Sequence, residues 1–126
     1  MININPRSNK PLYEQIVDGV KENILKELLS PGEKLPSVRE MSKLLTVNPN
    51  TVSKAYLELE RQKVIETLSG KGTFVSSSYS PKLDLDKLEN IKNILKDIII
   101  ETHYLGIEKK DFFKIVNDIY SNIERV

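Results

Sequence analysis

The stretch TVNPNTVSKAYLELE, residues 46–60, decides how the chain is read. Its second half has the spacing of an amphipathic helix, with Val52, Ala55, Tyr56 and Leu59 on one face. Its front, Asn48-Pro49-Asn50-Thr51, is polar and of little use in a core. Asn48 suits an N-cap, and Pro49 suits the first helical position, where a missing N–H costs nothing. Many helices begin this way merely because such residues cap well, so the meaning of the polar tip rests on what surrounds it.

Upstream, Ser37-Val38-Arg39-Glu40 carries a second start signal: Ser37 as N-cap, with Glu40 three residues later completing a capping box. The short helix it opens has Val38, Met41, Leu44 and Leu45 as its expected apolar face, and Leu45-Thr46-Val47 makes a tight break. Further upstream, Pro11 opens a helical pattern in which Leu12, Ile16, Val20 and Ile24 recur, with Val17, Leu25 and Leu28 widening the stripe. SPGEKLP, residues 30–36, ends that helix in a loop. Downstream the period changes. Val64–Leu68 and Thr73–Val75 read as two short strands around a Ser69-Gly70-Lys71-Gly72 turn.

Two helices separated by a tight break and followed by a hairpin describe a winged helix-turn-helix, whose second helix enters the DNA major groove and reads bases from its N-terminal end. Asn50 and Thr51 suit that role, since Asn pairs with adenine, and Thr bonds a base or phosphate or packs against thymine methyl. Pro49 can touch a sugar or methyl group, while Ser53 and Lys54, on the next turn, reach toward phosphate. Arg39 lies on the polar face of the preceding helix. Lys71 sits in a turn whose flanking Gly70 and Gly72 permit positive φ and close approach. The positive end of the helix dipole and its free tip N–H groups are expected to face phosphate. Each feature alone is an ordinary surface charge, cap or turn; their coincidence is what points to DNA.

The totals agree. The chain has 126 residues, 39% hydrophobic and 29% charged, which suits a folded domain rather than a disordered one. Without cysteine, disulfides, thiolate metal sites and cysteine nucleophiles are excluded. The N-terminus lacks a secretion signal, and the longest wholly apolar run is Ile98–Ile100, so a cytoplasmic protein without a membrane span is expected. Net charge is only +1, but residues 34–73 hold seven Lys/Arg against four Glu, which places the small basic excess on the helix-turn-helix.

These residues resemble the GntR family of bacterial transcription regulators. The resemblance runs from Pro11 to Val75 and is carried by PLYEQIVDGVKENI, PGEKLPSVRE, NPNTVSKAY and GKGTFV. It implies DNA contact by Arg39, a major-groove face made of Asn48, Pro49, Asn50, Thr51 and Ser53, and a minor-groove approach by Gly70 and Lys71. With Ser37, Lys54 and Gly72 these complete the candidate DNA-binding set. Many relatives carry Arg where this chain has Pro49 and Ser53, which removes guanine-reading side chains from those two positions.

Residues 77–83 read as a linker between a winged helix-turn-helix at 1–76 and a two-helix tail at 84–126. One tail helix carries Leu85, Leu88, Ile91, Leu95, Ile98 and Ile99. The other carries Phe112, Val116, Ile119 and Ile123, and Gly106 acts as a helix stop between them. The expected fold class is mainly α with an α+β wing. A hairpin buries only the facing seam of two wide stripes, so Leu88, Ile91, Leu95, Ile98, Ile99, Phe112, Val116, Ile119 and Ile123 are expected to pair across a homodimer twofold. The resemblance narrows to the YtrA subfamily, whose short tails dimerise and whose genes often adjoin those of ABC transporters. A dimer presents two recognition tips, which fits a near-palindromic operator, and occupying that site is expected to block or alter transcription of neighbouring genes, as a repressor does.

His103, the single histidine, reads as a surface or helix-end residue, and Asp84 and Asp86 as first-turn acids, so no metal or cofactor is expected. No effector pocket is legible. No phosphate loop, serine elbow or metal-protease motif supports an enzyme. The remaining rival is a winged helix used for protein contact without DNA.

Overall fold

The structure, a computed structural model, describes residues 2–124; positions 1, 125 and 126, at the outer ends of the expected first and last segments, lie outside the described residues. In chain order the elements are α1 (Leu12–Leu25), α2 (Val38–Leu45), α3 (Pro49–Arg61), β1 (Ile65–Leu68), β2 (Gly72–Val75), α4 (Leu85–Tyr104) and α5 (Lys109–Ile123). This is the expected mainly helical class with one small antiparallel sheet. The chain divides into two compact units, residues 2–79 and 80–124.

In the first unit α3 is the central strut, packing on α1, α2 and β1. The largest side chains fully removed from solvent are Ile16, Met41, Leu59, Val20 and Val52. Each such burial is worth about 1.5–3 kcal/mol. The α1 stripe buries Ile16, Val17 and Val20 as read, but the helix stops at Leu25. Leu25 and Leu28 are exposed, and Leu29 enters the core instead. The cause is the helix end. Glu27 adopts φ 59, and the N–H groups of Glu27 and Leu28 donate to the carbonyls of Ile24 and Asn23. That double closure turns the chain and rotates Leu29 inward.

The N-terminal arm also joins the core, a role its short sequence does not announce. Ile2 is buried against Gly19, where an added Cβ would lie 2.7 Å from its Cγ2. Gln15 fastens the arm: its Oε1 accepts from the Asn5 N–H at 2.7 Å, and its Nε2 donates to the carbonyls of Asn5 (3.0 Å) and Lys10 (2.9 Å).

The hairpin pairs Ile65 with Val75 and Leu68 with Gly72. Val64, expected in the first strand, instead closes the α3 terminus: Lys63 sits at φ 61, and the Val64 N–H donates to Leu59 O at 2.9 Å. Residues 33–35, expected as loop, run antiparallel beside β2, with Leu35 N–H bonding Thr73 O and Val75 N–H bonding Glu33 O, each at 2.8 Å. Lys34 bridges Phe74, so the wing has a third, very short edge.

The second unit holds α4 and α5. Asp84 caps α4, its Oδ1 accepting from the N–H groups of Asp86 and Lys87. Gly106, at φ 79, ends the helix in the expected role, with its N–H donating to His103 O and that of Ile107 to Thr102 O. One expectation fails: the helices do not bury a mutual seam, for neither has a buried residue. Leu88, Phe112, Val116 and Ile123 are half-buried, whereas Ile91, Leu95, Ile98, Ile99 and Ile119 are exposed. Among the described residues, no helix is long and apolar enough to cross a membrane.

Candidate nucleic-acid interface

The tip of α3 is built by its cap. Asn48 holds extended backbone (φ −61, ψ 134), and its Oδ1 accepts the Asn50 N–H at 2.8 Å. Its own carbonyl takes the Thr51 N–H at 3.0 Å. Pro49 has none to offer. The expectation that free tip N–H groups await phosphate is therefore corrected: the cap consumes them, and what the tip presents is side chains and a dipole. Asn50 and Pro49 are exposed, Thr51 and Ser53 half-buried.

The break before α3 is a left-handed residue. Thr46 takes φ 56, ψ 48, and the Val47 N–H returns to Ser42 O at 3.1 Å. Ser42 Oγ donates to Val47 O at 2.5 Å, locking the turn from inside. This is why Ser42 is buried and Leu44, expected in the core, is exposed. An eight-residue helix offers two turns of contact, and the closed turn selects the face that carries the serine hydroxyl.

At the other end of α2 the capping box is complete. Ser37 Oγ accepts from Glu40 N–H at 3.1 Å, and Glu40 Oε1 accepts from Ser37 N–H at 3.0 Å. Those bonds to Ser37 hold the Glu40 carboxyl below its ordinary pKa. Ser37 is thus engaged as a cap. Two residues after the cap, in the first turn, Arg39 is exposed to solvent.

Tyr56 couples the two helices. Its ring is buried, and its hydroxyl donates to Pro36 O at 2.7 Å, one residue before the α2 cap. Burial, then the Glu40 charge, push its pKa up to about 12. Spacing alone marks Tyr56 as core; nothing local reveals that its hydroxyl reaches twenty residues back.

In the wing, the Lys71 N–H closes on Leu68 O at 2.9 Å, with Gly70 at φ 74 and Gly72 at φ 119, so both glycines occupy backbone that L side chains rarely adopt. Lys71 is exposed. Lys54 departs from its expected aim: its Nζ rests 4.1 Å from the centroid of the Tyr13 ring on α1, a cation–π contact. Among the described residues, the side chains of Arg39, Asn50, Thr51, Ser53 and Lys71 make no hydrogen bond or ion pair, and no group of His, Asp and Glu is placed to hold a metal. The candidate set thus splits into committed side chains (Ser37, Asn48, Lys54), backbone enablers (Gly70, Gly72) and uncommitted polar groups.

Known proteins share this arrangement. The profile for bacterial regulatory proteins of the gntR family matches residues 12–75. The HTH-type transcriptional repressor YtrA of Bacillus subtilis (strain 168) is 47% identical over 124 residues, 98% of this chain and 95% of that protein. A crystal structure described as a transcriptional antiterminator from Listeria monocytogenes EGD-e has TM-score 0.86 and 42% identity, covering all of this chain and 96% of that one. The DNA-binding domain of AraR in complex with operator ORX1 has TM-score 0.53 at 28% identity, over 59% of this chain and 92% of that one. The family resemblance read from the sequence is borne out, and with it a transcription regulator rather than an enzyme. A polar-tipped third helix, a closed turn before it and a glycine-hinged wing after it thus belong to a winged-helix, DNA-binding member of the gntR family of bacterial regulatory proteins.

Proposed function

We propose that two copies of this chain bind a near-palindromic operator and repress the adjoining genes, with residues 1–76 on DNA and 84–126 joining the copies. The observation that carries the DNA reading is the set of uncommitted polar side chains on the winged helix-turn-helix: Asn50 and Thr51 at the start of α3, Arg39 in the first turn of α2 and Lys71 in the wing. Asn50 and Thr51 read bases in the major groove, while Arg39 and Lys71 hold phosphates. Lys54 joins them by leaving, or sharing, the Tyr13 ring. Repression follows the description of the Bacillus subtilis relative. A transporter operon is the candidate target on the strength of the subfamily resemblance alone.

The homodimer reading is supported by α4 and α5, which bury no residue within their own chain while Ile91, Leu95, Ile98, Ile99 and Ile119 stand exposed. A soluble monomer rarely leaves so much contiguous apolar side chain wet. A twofold pairing covers it, and a dimer fits a site whose half-sites lie about 34 Å apart, one turn of the duplex.

Gel shift of the full chain on a mixed-sequence duplex across a salt series tests the DNA arm. Affinity falls steeply with salt if phosphates are neutralised; absence of binding at low salt favours the rival reading, a winged helix devoted to protein contact. Selection of bound sequences from a random pool then gives half-site and spacing together. Sedimentation at micromolar concentration tests the dimer, and a monomer throughout removes it.

A further inference from the structure

We propose that Lys34 is a further phosphate-contacting residue of the wing, seated there by Gly72; the inference rests on the DNA-binding reading above. Lys34 lies in SPGEKLP, a segment with the composition of a plain connecting loop. In the fold, that segment runs along β2, bridging Phe74 opposite β1. The lysine stem crosses Gly72. A Cβ at that position would lie 2.9 Å from Lys34 Cε, 3.5 Å from Nζ and 3.9 Å from Cδ. The space that a side chain at residue 72 would fill is the seat of the lysine. Two constraints therefore meet at Gly72: a φ of 119 and the stem lying across it.

The seat has a consequence for charge. On one side of Lys34 is the wing turn with Lys71. On the other is the first turn of α2, whose Glu40 feels the Lys34 charge. Glu40 spends a carboxylate oxygen on the Ser37 N–H, and Lys34 forms no ion pair among the described residues. The residue is exposed. Its ammonium thus lies beside Gly72 of the wing and within electrostatic reach of the first turn of α2, with donors to spare for a phosphate. A packing strut alone requires the stem and not the charge, and that difference is testable.

Lys34→Met keeps the stem over Gly72 and deletes the charge; Lys34→Arg keeps both; Lys34→Gln deletes the charge with a shorter stem. The pairing of residues 33–35 with β2 uses backbone groups and survives all three substitutions. Binding of the full-length variants to a mixed-sequence DNA duplex is measured as a function of salt. One lost phosphate contact lowers the slope of log affinity against log salt by about 0.9, so from about 50 to 200 mM salt the native protein loses about 3.5-fold more affinity than Lys34→Met. Lys34→Gln follows Lys34→Met, and Lys34→Arg keeps the native slope. Equal slopes for all four proteins overturn the assignment while leaving DNA binding intact. Failure of the native protein to bind any duplex at low salt instead overturns the reading on which the assignment rests.

Discussion

Replacing Tyr56 with Phe removes one oxygen from the hinge between the two helices of the DNA-binding motif. The ring stays buried among the core side chains, so no cavity forms. What is lost is the 2.7 Å bond from the hydroxyl to Pro36 O. Pro36 is half-buried, so water only partly replaces the donor. A net hydrogen bond is worth about 0.5–1.5 kcal/mol, and an orphaned carbonyl adds to the loss; about 1–1.5 kcal/mol is expected here. For a unit of this size that lowers Tm by about 4–8 °C per kcal/mol. The pH dependence gives a second readout. The folded-state pKa of Tyr56 is pushed from the ordinary 10.0 to about 12, so the folded state holds this proton longer than the unfolded one. Its contribution is fully present below pH 10 and drains as pH rises toward 12. Thermal unfolding followed by circular dichroism, on native protein and Tyr56→Phe at neutral pH and across the alkaline range, checks both. The native protein's advantage shrinks between pH 10 and 12. An unchanged neutral Tm, or an advantage that persists undiminished to pH 12, refutes the reasoning.

Thr46→Gly, at the left-handed turn between α2 and α3, relieves about 1–2 kcal/mol of strain and concedes about 0.4–1 kcal/mol of unfolded-chain entropy. A net gain of about 0.5–1 kcal/mol in urea unfolding, with DNA affinity unchanged, is expected. Gly19→Ala drives a methyl group toward Ile2, costs about 1–3 kcal/mol as overpacking, and releases the N-terminal arm to limited proteolysis. Ile98→Asp changes a residue 41% exposed within its own chain, so it leaves the melting of the first unit alone while sedimentation shifts from dimer to monomer.

Much of the DNA-binding motif was legible because it is written in local signals. Ser37 with Glu40, and Asn48 with Pro49, mark helix starts through side chains that bond backbone two or three residues away. What escaped was either nonlocal or decided by competition. Lys34 joins the wing through backbone pairing with residues about forty positions later, which no window of sequence displays. Ile2 and Ile4 alternate with asparagines over too short a run to announce a core arm, and the partner of Ile2 is an absent side chain at Gly19. Leu44 lost its expected place to Ser42 because the turn needed a hydroxyl more than the core needed a leucine. At the α3 tip, the rule that helix ends leave N–H groups free met the rule that Asn caps them, and the cap prevailed. In the tail, the pattern predicts more apolar area than one hairpin covers; in the structure neither helix fully buries a residue, and Leu88, Phe112, Val116 and Ile123 are only half-buried.

Operator recognition turns on whether the side chains at the start of α3 read bases. The most direct measurement compares native protein and Asn50→Ala on the duplex selected from a random pool and on an unselected duplex of equal length at the same salt. Base reading predicts a loss of about 1–3 kcal/mol on the selected site and a much smaller loss on the other. Equal losses on both duplexes, or none on either, contradict it.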